Sequence, residues 1–247
     1  MRKFSLSNYD PDRITVVLLN GGGQQPFNKF NKITKLFRTY DCNILSVELP
    51  GHGKSAFDKI VTAEEMLADF YDEFNLMLDE FEKIALVGFS LGALLSLKSL
   101  EQNSRHFEFV VTIGAGLAIS EEEERIMKEY ASIEFFDKMG WLKYMFEYHK
   151  DGWRQLIGSL PPMLSVGSSL FVSSQFSTSS PLHLIIGDHD GVVNYDLQQE
   201  YTKEKTISTH LVPNTSHFDY FSVSWSQTSQ ILNEIIANYL NESEELS

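Results

Sequence analysis

A serine between two glycines, and histidines and aspartates far downstream of it, carry the chemistry this chain can do. The serine lies in Gly88-Phe89-Ser90-Leu91-Gly92. Before it, Ile84-Ala85-Leu86-Val87 is a short apolar run with the composition of a buried strand. After it, Ala93-Leu94-Leu95-Ser96-Leu97 opens a segment with the apolar spacing of a helix. Strand, turn and helix present the serine at the turn, an arrangement that exposes the hydroxyl on a strained backbone. A side chain at either glycine would collide with neighbouring backbone in so tight a turn. The helix that begins at the serine aims its dipole and its free amides at the hydroxyl, favouring negative charge there. The five-residue pattern alone is only suggestive, and its context is what argues against an ordinary Gly-rich turn.

A serine hydroxyl is a weak nucleophile at neutral pH and needs a base within hydrogen-bond reach. That base is usually a histidine oriented by a buried carboxylate. Both residue types occur just past late apolar runs, in Gly187-Asp188-His189-Asp190-Gly191-Val192-Val193 and in Pro213-Asn214-Thr215-Ser216-His217-Phe218-Asp219. Asp188, Asp190 and Asp219 are the candidate acids. Asp188 directly follows Gly187 and suits a turn or cap, and Asp219 follows His217. Of the seven histidines, His183 and His210 fall within strand-like runs, where packing is the default. His52 sits in a Gly-flanked turn, His189 reads as exposed, and His106 and His149 fall at predicted helix ends. No Cys/His cluster has zinc spacing, so no metal and no cofactor is expected.

The elements that must position these groups alternate. Residues 14–19, 43–49, 84–87, 107–113, 182–186 and 206–212 read as strands, and 3–6 as a short edge strand. Residues 27–40 have helical spacing at Phe30, Ile33, Leu36 and Phe37. Thr62 and Glu65 form a capping box ahead of an apolar stripe of Met66, Phe70, Phe74, Met77, Leu78 and Phe81. Residues 194–203 and 225–240 read as the last helices. Strands alternating with helices predict an α/β fold, a doubly wound, mostly parallel sheet with right-handed crossovers. Ligands of such sheets sit beyond the carboxyl ends of the strands. The loop after residue 19, the turn at residues 50–55 and Ser90 all fall there. From 120 to 180 the alternation stops in an aromatic-rich segment that includes Trp141 and Trp153. This predicts a helical cap inserted between late strands, with 1–119 and 181–247 as the core. The cap's aromatics read first as packing onto the body, and second as an apolar wall for an acyl or aromatic group.

Composition removes several classes. The chain has 247 residues with 43% hydrophobic content, enough for one sizeable core. Its 34 acidic and 20 basic residues leave a net charge of −14 without a basic stripe, which argues against nucleic acid as a partner. The single cysteine, Cys42, excludes an intrachain disulfide. The first ten residues lack the apolar stretch of a secretory signal, and no run approaches a membrane span. A soluble cytoplasmic protein with a small-molecule substrate is expected, and no feature of the pattern sets an oligomeric state.

Over nearly its whole length the sequence resembles the α/β-hydrolase superfamily, most of all the small esterase, thioesterase and MenH-like group with a helical cap. Gly88-Phe89-Ser90-Leu91-Gly92 is similar to the family's nucleophile elbow, and Pro50-Gly51-His52-Gly53-Lys54-Ser55 to its P-G-x-G-x-S turn. Gly187 to Val193 resembles its G-x-x-D-x-x-V segment, which points to Asp190 as the acid. Asn214 to Phe218 resembles the loop that delivers the catalytic histidine, which points to His217. Asn20-Gly21-Gly22 aligns with the oxyanion loop, so the resemblance implies the amides of Gly22 and Leu91 as the oxyanion hole. Asn20 stands where the family usually has histidine, and Glu48 where aspartate is commoner. The order Ser90, Asp190, His217 is the family's own. The resemblance implies a serine hydrolase acting on a carboxylic ester or thioester through an acyl-enzyme. Two alternatives keep the fold: a lyase that uses the same triad for proton transfer, and a non-catalytic binding module.

Overall fold

The computed structural model describes residues 2–21, 27–29, 31–49, 63–103, 105–117, 176–191, 193–203 and 207–241. Among them, seven strands form one sheet. These are β1 Arg2–Ser5, β2 Thr15–Leu19, β3 Asn43–Glu48, β4 Ile84–Phe89, β5 Phe109–Ile113, β6 Leu182–Gly187 and β7 Ile207–Val212. Their order is β1-β3-β2-β4-β5-β6-β7, with β1 antiparallel to β3 and every other pair parallel. The helices are α1 Lys32–Phe37, α2 Ala63–Leu78, α3 Leu91–Gln102, α4 Tyr195–Thr202 and α5 Trp225–Ile236.

Strands β2, β4 and β5 are mostly apolar and buried at every position because both faces of the sheet are covered. Alternate residues go to opposite cores. Val17, Leu19, Leu86 and Leu184 pack with Phe70, Phe74 and Leu78 of α2 and with Leu95 and Leu97 of α3. Val16, Leu18, Val87 and Ile185 pack with Ile33 and Phe37 of α1 and with Leu232, Ile235 and Ile236 of α5. Edge strand β7 is buried only at its two ends, Ile207 and Val212. Helix α1 is shorter than its spacing predicts. The Asn31 side chain accepts from the Ile33 amide at 3.0 Å with an extended backbone, so the helix starts at residue 32. Cys42, buried beside α1, has its thiol pushed up to about 12 by burial and by the charge of Asp41.

The predicted capping box at Thr62, the turn at residues 50–55 and most of the predicted 120–180 insertion lie outside the described residues. Just ahead of β6, Phe176 is buried and Ser180 Oγ accepts from the Phe107 amide at 2.9 Å. No helix among the described residues is long and apolar enough to cross a membrane.

In register, β2, β4, β5, β6 and β7 run parallel and end at one edge of the sheet. The chain therefore leaves the sheet at Asn20, Ser90, Gly114, Asp188 and Pro213 on the same side. That edge is where ligands of parallel sheets bind.

Away from that edge, His183 of β6 and His210 of β7 meet across the sheet, Nδ1 to Nε2 at 3.1 Å, and His183 Nε2 lies 3.0 Å from the Tyr239 hydroxyl. One ring nitrogen must accept, so the contact needs at least one neutral imidazole. Burial, and then the neighbouring His210, push His183 down from its ordinary 6.5 to about 4. Burial also lowers His210, against the opposing charge of Glu234. Since the folded state resists protonation more than the unfolded chain, this pair's contribution is complete above pH 6.5 and declines as the pH falls towards about 4. The melting temperature of the wild type is expected to drop between pH 7 and pH 4.5 more steeply than that of His183→Leu. Equal slopes in a thermal melt series would remove the pair from the account.

Candidate active site

The site starts from the turn between β4 and α3. Ser90 has φ 50 and ψ −116, a conformation costing a non-glycine residue about 1–3 kcal/mol, which the surroundings must hold. Its amide donates to Ile113 O at 2.9 Å, tying the turn to the end of β5. A Cβ on Gly88 would overlap the Gly92 carbonyl and the backbone of Ala93. A Cβ on Gly92 would overlap the carbonyls of Leu19 and Asn20 at the end of β2. Both glycines are therefore required by backbone-on-backbone contact. The carbonyl of Ser90 accepts from the amides of Ala93 and Leu94, each at 3.0 Å. The amides of Leu91 and Gly92 come ahead of these first intrahelical donors, at the positive end of the α3 dipole.

His217 arrives from the loop after β7. Its Nε2 lies 2.9 Å from Ser90 Oγ, and its Nδ1 lies 3.0 Å from each carboxylate oxygen of Asp190. A carboxylate only accepts, so Nδ1 carries the proton and Nε2 offers its lone pair to the serine hydroxyl. The side chains of His217 and Asp190 are 5% and 0% exposed, so their ion-dipole contact operates almost free of solvent screening. Phe89 stacks on the imidazole at 5.4 Å between ring centres, and Phe218 meets it edge-on at 5.2 Å. Ser90 itself is half-buried.

Asp190 is held by the end of β6. Its Oδ1 accepts from the Val193 amide at 3.2 Å, and its Oδ2 accepts from the Tyr220 hydroxyl at 2.7 Å. Tyr220 was not among the residues singled out by motif or spacing. The signal for it is a tyrosine three positions after His217, on the same side of a turn, with a hydroxyl that burial obliges to find a partner.

Ser90, Asp190 and His217, expected from three separate stretches, thus come together. The rival acids do not join them. Asp188 accepts from the Thr215 amide at 3.1 Å, and backbone bonds from Asn214 and Thr215 help hold its carboxyl below the usual range. It pins the histidine loop, in which Asn214 takes a left-handed φ of 53. Asp219 Oδ2 accepts from Ser216 Oγ at 2.6 Å. His189 is exposed.

Of the two expected oxyanion donors, the Leu91 amide sits at the start of α3 beside Ser90. Gly22 lies outside the described residues, as does His52. The preceding Gly21 packs on the elbow, where a Cβ would come 2.8 Å from the Phe89 ring and 3.4 Å from Ser90 Cβ. Asn20 is fully buried and its side-chain amide donates to Gly21 O at 3.2 Å. One further support was missed by sequence reasoning. Gln198 of α4 accepts from the Leu117 amide at 2.8 Å, and its side chain fills the space a Cβ on Gly116 would need. Among the described residues, no group of three or more His, Cys, Asp or Glu side chains is arranged to hold a metal ion.

A mostly parallel sheet with helices on both faces, and a serine on a strained turn at its carboxyl edge, is the architecture of α/β hydrolases. The family model described as "Alpha/beta hydrolase family" matches residues 16–227, and the chain belongs to that family. No curated protein matches the sequence. Solved structures similar to it include the type II thioesterase BorB from the borrelidin biosynthetic cluster, at 16% identity and a TM-score of 0.65, with 96% of each chain covered. A thermophilic esterase from Thermogutta terrifontis is similar at 14% identity and a TM-score of 0.61, over 97% of this chain and 99% of that one. The 2-hydroxy-6-oxo-6-phenylhexa-2,4-dienoate hydrolase of a Rhodococcus species is similar at 16% identity and a TM-score of 0.65, over 95% and 97%. At these identities the likeness is one of fold.

Two glycines beside the acid separate close packing from mere turn chemistry. A Cβ on Gly187 would overlap the Thr215 carbonyl of the histidine loop, whereas one on Gly191 meets nothing within 4 Å. Gly187→Ala is expected to lower unfolding free energy by about 1–3 kcal/mol, as overpacking does. Gly191→Ala should stay within about 0.5 kcal/mol. Urea denaturation of both variants checks the contrast.

Proposed function

We propose that this chain is a serine hydrolase that cleaves a carboxylic ester or thioester of a small molecule through an acyl-enzyme, using Ser90, His217 and Asp190 as its triad. The observation that carries this reading is the 2.9 Å contact between His217 Nε2 and Ser90 Oγ, with Nδ1 held by Asp190. Ser90 Oγ attacks the acyl carbon as its proton passes to His217 Nε2. Asp190 keeps the Nδ1 proton in place and stabilises the imidazolium that results. The carbonyl oxygen becomes an oxyanion beside the Leu91 amide, with the Gly22 amide as the second donor that the family resemblance implies. A single such donor is worth about 3 kcal/mol in the transition state.

The intermediate collapses by breaking the bond to the alcohol or thiol, which takes the proton from His217 Nε2. Water then enters, gives a proton to the same nitrogen and attacks the acyl carbon. Release of the carboxylic acid returns the proton to Ser90 Oγ. The rings of Phe89 and Phe218 beside the imidazole help shield its contact with Asp190 from solvent, which strengthens that contact. The fold neighbours include a thioesterase and an esterase, which accords with either leaving group.

Turnover of a series of p-nitrophenyl esters by the wild type and by Ser90→Ala tests the reading. The variant is expected to lose at least about a thousandfold in kcat, the scale on which nucleophile removal acts in such triads. A fluorophosphonate should label Ser90 in the wild type and leave Ser90→Ala unlabelled. Full ester hydrolysis by Ser90→Ala would rule the mechanism out.

A further inference from the structure

Tyr220 is completely buried, yet it carries a hydroxyl that reaches two polar groups. It accepts from the Gly187 amide at 2.7 Å and meets Asp190 Oδ2 at 2.7 Å. The direction of the second bond is fixed by chemistry. The Gly187 amide can only donate and the ionised carboxylate can only accept, so the phenolic hydrogen points at Asp190. A hydrogen bond to an ionised acceptor in a dry site is about twice as strong as a neutral one.

The backbone makes this contact reproducible. The Asp219 amide donates to Ser216 O at 3.0 Å, and the amides of Ser222 and Ser224 donate to Asp219 O at 2.9 and 3.0 Å. These turns place His217 and Tyr220, three residues apart, on one side, so the carboxylate receives the imidazole N–H and the phenol O–H together. Asp190 is in turn tied to the end of β6, where its amide donates to Gly187 O at 3.2 Å. Gly187, Tyr220 and Asp190 thus close a small ring of polar contacts around the acid. The Tyr220 ring is wedged against Phe89, at 6.1 Å between ring centres, and against Gly114, where a Cβ would come 3.1 Å from its Cε2. Burial and the charge of Asp190 push the Tyr220 hydroxyl well above its ordinary 10, so it remains a donor throughout the range in which an ester hydrolase works.

We infer that Tyr220 is a positioning residue for the triad: its hydroxyl orients the Asp190 carboxylate towards His217 and draws off part of the negative charge that His217 feels. The inference rests on the reading of Ser90, His217 and Asp190 proposed above. Among the described residues, the groups facing the imidazole are Asp190 and Ser90, with the uncharged rings of Phe89, Phe218 and Tyr220 around them. Without the phenolic hydrogen, Oδ1 keeps its bond from the Val193 amide but Oδ2 loses a charge-withdrawing donor, so the carboxylate is held less firmly and presents more charge to the Nδ1 proton. Misaligned general bases lose rate in the chemical step, while substrate affinity, set elsewhere, is unchanged.

The test uses the full chain and p-nitrophenyl butyrate. Tyr220→Phe keeps the ring and removes only the oxygen, and is expected to lower kcat about tenfold with KM within about twofold. The acid limb of its kcat/KM profile moves to higher pH, because a more basic carboxylate retains the imidazolium longer. On an Asp190→Asn background the same change should cost under about twofold, since residues acting through one another are non-additive. A variant carrying 3-fluorotyrosine at position 220 retains the hydroxyl as a stronger donor, and its acid limb moves to lower pH. This second variant decides the matter even where Tyr220→Phe folds poorly.

A wild type that turns over the ester and is labelled at Ser90, with an acid limb that Tyr220→Phe and the fluorinated variant leave unmoved or move the other way, overturns the inference alone. Equal losses in both backgrounds do the same, because a loss that persists without the carboxylate does not act through it. A wild type that a fluorophosphonate does not label at Ser90 removes the proposed function, and the inference with it.

Discussion

The structure depends on one steric constraint, the contact of backbone with backbone where α3 begins. Gly92 lies directly against the carbonyls of Leu19 and Asn20, and Gly88 against the carbonyl of Gly92. No side chain fits in either gap. That closeness brings the first turn of α3 to the very end of β2 and forces Ser90 into its left-handed conformation. The same contact seats the loop after β2 on the elbow, with Gly21 against Phe89. Two hydrogen atoms in place of two methyl groups therefore decide where the serine, the helix dipole and the neighbouring loop meet.

Around that fixed point the sheet acts as a frame. Parallel pairing leaves β4, β5, β6 and β7 in register, so the residues that leave the sheet do so side by side. Asp190 and His217 come from loops 27 positions apart in the chain, yet both are brought to Ser90 by adjacent strand ends. Backbone amides beside them are supplied with side-chain partners, as a low-dielectric site demands. Asp188 does this for the amide of Thr215, and Gln198 for the amide of Leu117. Much of the site is thus built by residues that need touch no substrate.

The architecture was largely legible in the sequence because its physics is local. Apolar runs buried on both faces, such as residues 15–19 and 84–89, cannot be mistaken for surface segments. Glycines at the elbow mark a turn that admits no other residue. The choice of Asp190 over Asp188 was carried by a resemblance to a short motif; of the two side chains, Asp190 lies against His217 and Asp188 accepts from the Thr215 amide. Besides Gln198, three features were not legible. The start of α1 depended on whether Asn31 would cap it, a competition between a side chain and the preceding backbone. The pairing of His183 with His210 requires the register of β6 on β7, which spacing does not set. Tyr220 reads as one more aromatic, because the partner that defines it lies 30 residues upstream.

Cys42 is the chain's one cysteine, and it is sealed beside α1 with a thiol that stays protonated at any ordinary pH. Alkylating reagents consume the thiolate, so while the chain is folded they find nothing to attack. Their uptake records the moments when the layer under α1 parts from the sheet. The protein therefore carries a built-in stopwatch for opening on the face away from α3, and it runs independently of any reagent aimed at the serine.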